Sequence, residues 1–421
     1  MYQISNLNQI SKVSDMFSFT LDHTEGTYLS RENFIERRDR IENAYSPVGL
    51  ANLKKRVDEY IAGQRELTAM EFYLAFEQAS VLVLFHAFPR AGERNRHANG
   101  LQQTYGDHIR LMMLGFDMLD RSDIGWLMKR RWRNPIDVEQ PELEDSIKRY
   151  HDLNLSRSER VAIWTASALH DYGKIFRRGY GLDAEDAVPL CDKLIEVLSP
   201  DGMVEFIRYG IRNHDLIEHT VTGDTPARFI KEPIEALPEG VRARALPMLA
   251  LIQHIGAASL GDGRISKSKL DIYNACLSGD IVADESVEAR LGRFLFGPQA
   301  VPDASAKARA GAVLAGLNAA DRTLLTKLLD GTPVLGWNNV REAILADEDD
   351  DESKALPRLV KTLLLVGRSW SEQSTRPSHV VLARPQELAK CTRPGSDNGA
   401  RLKNEDKATQ LLNGASALIL R

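Results

Sequence analysis

The feature that most constrains this chain is the spacing of its apolar residues, which return every three or four positions and seldom alternate. That is the period of a helix and not of a strand, so the expected fold class is all-α, mainly helical. In residues 106–119 (GDHIRLMMLGFDML), Ile109, Met112, Met113, Phe116 and Leu119 fall on one stripe. Residues 66–85 (ELTAMEFYLAFEQASVLVLF) are apolar around most of the circumference and predict a buried core helix. Ser156-Arg157-Ser158-Glu159 has capping-box spacing. It predicts a helix through Val161, Trp164 and Ala168 to about Asp171, where Gly173 offers a stop. Residues 183–198, 204–212 and 241–260 read as amphipathic helices, with Pro247 near the first turns of the last or marking a kink. The best strand signal is residues 379–383 (HVVLA), bounded by Pro377 and Pro385.

A chain of 421 residues exceeds one ordinary core and suits two domains or three. Residues 120–152 are polar and turn-rich, and the run Lys129-Arg130-Arg131-Trp132-Arg133 within them reads as a surface loop. A boundary is expected between residues 275 and 320. There Gly292, Gly297, Pro298 and Pro302 precede an Ala- and Gly-rich run at 304–319. The acidic run Asp347-Glu348-Asp349-Asp350-Asp351-Glu352 reads as a solvated loop and a second break. Residues 371–406, rich in Ser, Arg, Pro and Gly, are expected to be loosely ordered. The resulting division is an N-terminal helical segment (1–94) packing on the core, a central domain (95–284) and a mostly helical C-terminal unit (285–421). That last unit carries no chemical motif and suits oligomerisation or partner binding.

Composition excludes several classes. With 43% hydrophobic and 27% charged residues the chain is globular, and it holds no run of eighteen apolar residues, so no membrane partner is expected. Residues 1–6 have neither the basic start nor the apolar stretch of a secretory signal. Cys191, Cys276 and Cys391 are widely spaced, which suits a reducing cytoplasm and gives no zinc-ribbon pattern. A formal charge of −5 argues against a broad nucleic-acid surface while leaving room for a local basic groove.

The strongest chemical signal is Ala168-Leu169-His170-Asp171-Tyr172-Gly173-Lys174-Ile175. An apolar helix ends there in an imidazole beside a carboxylate, a pair that suits borderline to hard divalent cations. As an ordinary helix C-terminus, the same His and Lys would simply complement the helix dipole. Candidate partners follow along the chain. His108 lies on the striped helix, with His97 as its competitor in Arg96-His97-Ala98-Asn99-Gly100-Leu101. His214 ends Ile211-Arg212-Asn213-His214-Asp215, His219 follows five residues later, and His254 and Asp262 stand near the end of the 241–260 helix.

Leu169-His170-Asp171-Tyr172-Gly173-Lys174 resembles the signature of the HD superfamily of metal-dependent phosphohydrolases, with the similarity spanning residues 95–270. The resemblance implies an HD-type helical bundle in which His108, His170, Asp171 and Asp262 hold one divalent cation (Mn, Mg, Fe, Ni or Zn). It further implies a second cation held by His214 and His219 and bridged by Asp171. Metal-bound hydroxide would attack a phosphate ester or nucleotide. Asp171, Lys174 and His214 would serve the reaction, and Lys174, Arg94, Arg96 and Arg212 would neutralise phosphate. Two features depart from the compact members: a long stretch separates His108 from His170, and the closing position in the last helix reads Gln253-His254-Ile255-Gly256. Asp262 is the family-like closing ligand, with His254 as a ligand or supporting partner.

Two alternatives stand beside this reading. The same histidines, with Arg96 to Leu101, also resemble HD-type relaxases acting on single-stranded DNA, for which Trp126, Trp132 and Lys129 to Arg133 would form a basic-aromatic patch. A degenerate HD domain would bind a nucleotide or partner without turnover.

Overall fold

The computed structural model describes residues 45–79, 105–123, 140–175, 182–217, 220, 225–226, 228–260, 267–279, 286–297, 304–371, 380–382, 388–389 and 392. In chain order the helices are α1 (Pro47–Ile61), α2 (Ala69–Gln78), α3 (Tyr105–Asp120), α4 (Gln140–Asp152), α5 (Arg157–Leu169), α6 (Leu182–Leu198), α7 (Val204–Arg212), α8 (Arg228–Glu235), α9 (Glu239–Leu260) and α10 (Lys267–Leu277). They continue with α11 (Val287–Phe296), α12 (Ala304–Gly316), α13 (Ala319–Gly331), α14 (Trp337–Asp347) and α15 (Glu352–Ser371). The described strands are β1 (Val334–Leu335) and β2 (Val380–Val381), paired in parallel as Val334↔Val380 and Leu335↔Val381. The fold is all-α, and the strand expected at 379–383 is present in this short form. None of the described helices is long and apolar enough to cross a membrane.

The chain divides into two compact units, Met1–His214 with Leu237–Lys267, and Asp215–Ala236 with Ser268–Arg421. The division after Lys267 falls ahead of the boundary expected near residue 285.

In the first unit, helix starts are fixed by local chemistry. Thr68 and Glu71 form a reciprocal capping box on α2, as Ser156 and Glu159 do on α5, each satisfying amides that the first turn leaves without intrahelical partners. Asp117 of α3 adds a cap from a distance: its carboxylate accepts from Ala69 N at 2.8 Å and Met70 N at 3.2 Å. Burial raises the Asp117 carboxyl above its usual range, against the lowering effect of those two amides. The α3 stripe of Ile109, Met112, Met113, Phe116 and Leu119 is buried as its spacing requires. From Val161 to Leu169, α5 is buried on every side, and Trp164 stacks on Tyr60 of α1 at 5.7 Å. Between α5 and α6 the chain makes a 3-10 turn at Tyr172–Ile175, tied to the N-terminal segment by Tyr172 Oη and Tyr45 Oη at 3.0 Å.

The second unit has its own core, in which Leu291, Phe294, Leu328, Trp337, Leu359 and Leu363 are buried together. The Trp337 indole N–H donates to Phe294 O at 2.8 Å.

Three expectations are corrected. The polar segment 120–152 contains α4, whose sparse stripe of Leu143, Ile147 and Tyr150 is buried. Helix α5 ends at Leu169 with His170 as its C-cap, and Gly173 lies inside the 3-10 turn instead of stopping the helix. The 275–320 region, where a boundary is expected, holds parts of α10, α11 and α12. Its small residues are packing devices: a Cβ at Gly292 would lie 3.4 Å from Ala306 O, so α11 and α12 approach backbone to backbone. The acidic run is a tight turn with Asp349 and Asp350 at φ 53° and 60°, and it is not a break. Buried Arg358 pairs with Asp347 at 3.2 Å and with Glu348, and donates to Ala389 O at 2.7 Å. The segment 371–406 lies largely outside the described residues, as do Trp126 and Lys129 to Arg133.

Candidate metal centre

Three helices bring four side chains together inside the first unit. His108 stands in the first turn of α3, His170 caps the end of α5 with Asp171 next in line, and His214 follows the end of α7. Asp171 is 0% exposed and the imidazoles 2–5%. Asp171 Oδ1 lies 3.2 Å from His170 Nε2 and 3.9 Å from His214 Nε2, while Oδ2 lies 3.9 Å from His108 Nε2. Ligand atoms of His108, His170 and Asp171 all lie within 4.8 Å of one another, so this buried group can hold a metal ion. Donors about 2.1 Å from one cation cannot be more than about 4.2 Å apart; the separations of His108 and His170 from Asp171 satisfy that limit, and His214, 3.9 Å from Oδ1, lies outside the three-residue group.

The far side of each ring decides which nitrogen faces the carboxylate. His170 Nδ1 donates to Ser167 O at 2.7 Å and His214 Nδ1 to Ile211 O at 2.8 Å. A carbonyl only accepts, so in both rings Nδ1 carries the proton. These are carbonyls of a last helical turn, which lacks intrahelical donors. Each histidine therefore caps its own helix and turns Nε2 toward the site, at the end of a dipole that favours a cation. His108 uses a different support: its Nδ1 lies 2.8 Å from Ser259 Oγ on α9, and that hydroxyl donates to Gly256 O at 2.7 Å. In the neutral rings, three Nε2 lone pairs then converge on two carboxylate oxygens. Such a set of nitrogen and oxygen donors suits a cation held between them.

Packing sets these positions. At Gly210 of α7, a Cβ would meet Ala166 Cβ at 3.2 Å and Ile252 Cδ1 at 3.3 Å. The missing side chain lets α7 lie close on α5 and α9, and His214, four residues on, reaches His170 with ring centroids 4.6 Å apart.

Of the residues singled out in the sequence, His108, His170, Asp171 and His214 are brought together. His254 is buried on α9 but is not in that cluster. Ile252, Gly256 and Ser259 contact Gly210, Met112 and His108, and His254 lies about 200° around the helix from Ile252. Burial pushes its imidazole pKa down to about 4. Arg212 is exposed on α7. Arg94, Arg96, His97, His219 and Asp262 lie outside the described residues, as does the side chain of Lys174. Sequence reasoning missed Ser259, whose partner is 151 residues away. It also missed Gly210, which left no local signal beyond being a glycine in a helix.

No protein-family model matches the chain, nor does any curated protein or any solved structure.

Proposed function

We propose that this chain is a metal-dependent phosphohydrolase acting on a nucleotide or another phosphate ester. The observation that carries the reading is the convergence of three Nδ1-anchored imidazoles on buried Asp171. Burying a carboxylate is costly unless a cation accompanies it, and the donor set of nitrogen and oxygen suits a borderline first-row ion better than Mg2+. Asp171 is approached through Oδ1 by His170 and His214 and through Oδ2 by His108, so it would be the carboxylate ligand of one cation or be shared by two. When bound, the metal supplies Lewis acidity toward water and a phosphoryl oxygen. The chain's own part is positioning and charge compensation, which is most of what phosphoryl transfer asks of a protein. His108, His170 and His214 hold the carboxylate side of the site. We assign Arg212, two residues before His214, and Lys174, three residues after Asp171, to the phosphate. Buried Cys191 and Cys276 suit a reducing compartment, and we place the reaction in the cytoplasm.

The test is to load the protein with Mn2+, Fe2+, Ni2+ or Zn2+ and screen nucleoside mono-, di- and triphosphates, cyclic dinucleotides and single-stranded DNA. Hydrolysis of a small phosphate ester, lost in Asp171→Asn, is the expected result. Tight metal binding with no turnover would instead mark a binding domain, and cleavage confined to DNA would favour a strand-processing enzyme.

A further inference from the structure

His170 and His214 obtain their Nδ1 acceptors from the main chain three residues earlier, so no side-chain substitution removes those acceptors. His108 has no such resource. It stands at the start of α3 and not at its end, where preceding carbonyls are taken up by the helix that follows. Its acceptor must come from another element, and Ser259 of α9 provides it at 2.8 Å. The direction of that bond is fixed by the next one. Ser259 has a single hydroxyl hydrogen, and Gly256 O, 2.7 Å away, can only receive it. The hydroxyl oxygen is then left to accept from His108 Nδ1–H, which leaves Nε2 bare and facing Asp171 Oδ2 at 3.9 Å. The contact depends on close passage of α9 over α3.

We propose that Ser259 is a positioning residue of the metal centre: it selects the His108 tautomer and ring orientation that make Nε2 a ligand. The inference rests on the metal reading above and adds to it one hydroxyl on a remote helix that governs one ligand. Ser259 is 0% exposed, so it acts through His108 and not on substrate.

The experiment combines two measurements on the full chain. Long-range 1H–15N spectra of the metal-free protein report which ring nitrogen carries the proton. In the wild type, His108, assigned by its loss in His108→Ala, should be protonated at Nδ1. In Ser259→Ala it should shift toward the Nε2-protonated form. Titration with Co2+, followed by its visible absorption, should show a loss of about 10- to 100-fold in affinity for Ser259→Ala, the range for removing a ligand's outer partner. Ser259→Thr, which keeps the hydroxyl, should bind close to the wild type. A Ser259→Ala change made on top of His108→Ala should cost nothing further, because the two residues act as one unit.

An Nε2-protonated His108 in the wild type overturns the proposal even if Ser259→Ala does not fold. So do wild-type cobalt affinity in Ser259→Ala, and losses that add in full in the double variant. Absence of cobalt uptake by the wild type overturns the metal reading and this inference with it. A cobalt-loaded wild type that hydrolyses no phosphate ester counts against the proposed reaction alone and leaves the role of Ser259 standing.

Discussion

His254 and His170 are both buried imidazoles of the first unit, set in different surroundings. His254 lies on the side of α9 away from the cluster, and desolvation lowers its pKa from 6.5 to about 4. Between those values the unfolded chain takes up a proton that the folded chain refuses. Its contribution to stability is therefore present above pH 6.5 and is lost as pH falls through 4, on the order of 3 kcal/mol in total. Denaturant melts of metal-free protein across that window should show a shallower acid limb in His254→Leu than in the wild type, and parallel limbs would refute the assignment. His170 and Asp171 behave differently because they end a helix, where neither side chain belongs to the apolar stripe. His170→Ala and Asp171→Ala are expected to abolish binding of a first-row divalent ion while the fold persists. Metal analysis and a thermal melt of each variant check this, and full occupancy in both would remove the central claim.

At the scale of elements, the site depends on how closely α7 lies on α5. A side chain at position 210 would press on Ala166 and Ile252 from 3.2 and 3.3 Å. Overpacking of a close-fitted core costs about 1–3 kcal/mol. Gly210→Val should lower stability by that amount and also weaken metal binding, because the strain falls on the helix whose end carries His214. Gly311→Ala in α12, where a Cβ would touch only Glu288 Cγ at 3.7 Å, is the control: it should leave metal affinity unchanged and, as a glycine replaced inside a helix, raise stability by up to about 1 kcal/mol. If Gly210→Val lost stability but kept full metal affinity, α7 would not set the position of His214. The same packing explains what the sequence could and could not reveal. Strongly periodic segments, the α3 stripe and the capping box of α5 were legible because local physics alone determines them. Helix α4 was obscured because its buried apolar residues, Leu143, Ile147 and Tyr150, are sparse among charged ones, and α12 because its small residues suit a domain boundary until their partner helix is seen. The His170–Asp171 pair was legible from its six-residue setting. The support of His108 was not, since a serine 151 residues away has no local signature.

On the scale of the whole molecule, the candidate ligands His108, His170 and Asp171, the neighbouring His214 and the hydroxyl of Ser259 all belong to one of two compact units. The other unit carries its own core around Leu328, Trp337 and Leu363. A cation that binds only the folded site stabilises by mass action, about 2.7 kcal/mol at a free concentration 100 times the dissociation constant. That free energy enters the opening reactions that release the site and no others. Hydrogen exchange followed by mass spectrometry, with and without saturating metal, should therefore show slower exchange in α3, α5, α7 and α9. Protection in α11, α13, α14 and α15 should stay unchanged, as each of those helices is held by a core that no ligand enters. Repeating the measurement on Asp171→Asn should erase the gain, which separates binding at this centre from metal held elsewhere on the surface. Equal protection across both sets of helices would mean that the units open as one, and the free energy of the site would then be spread over the entire chain.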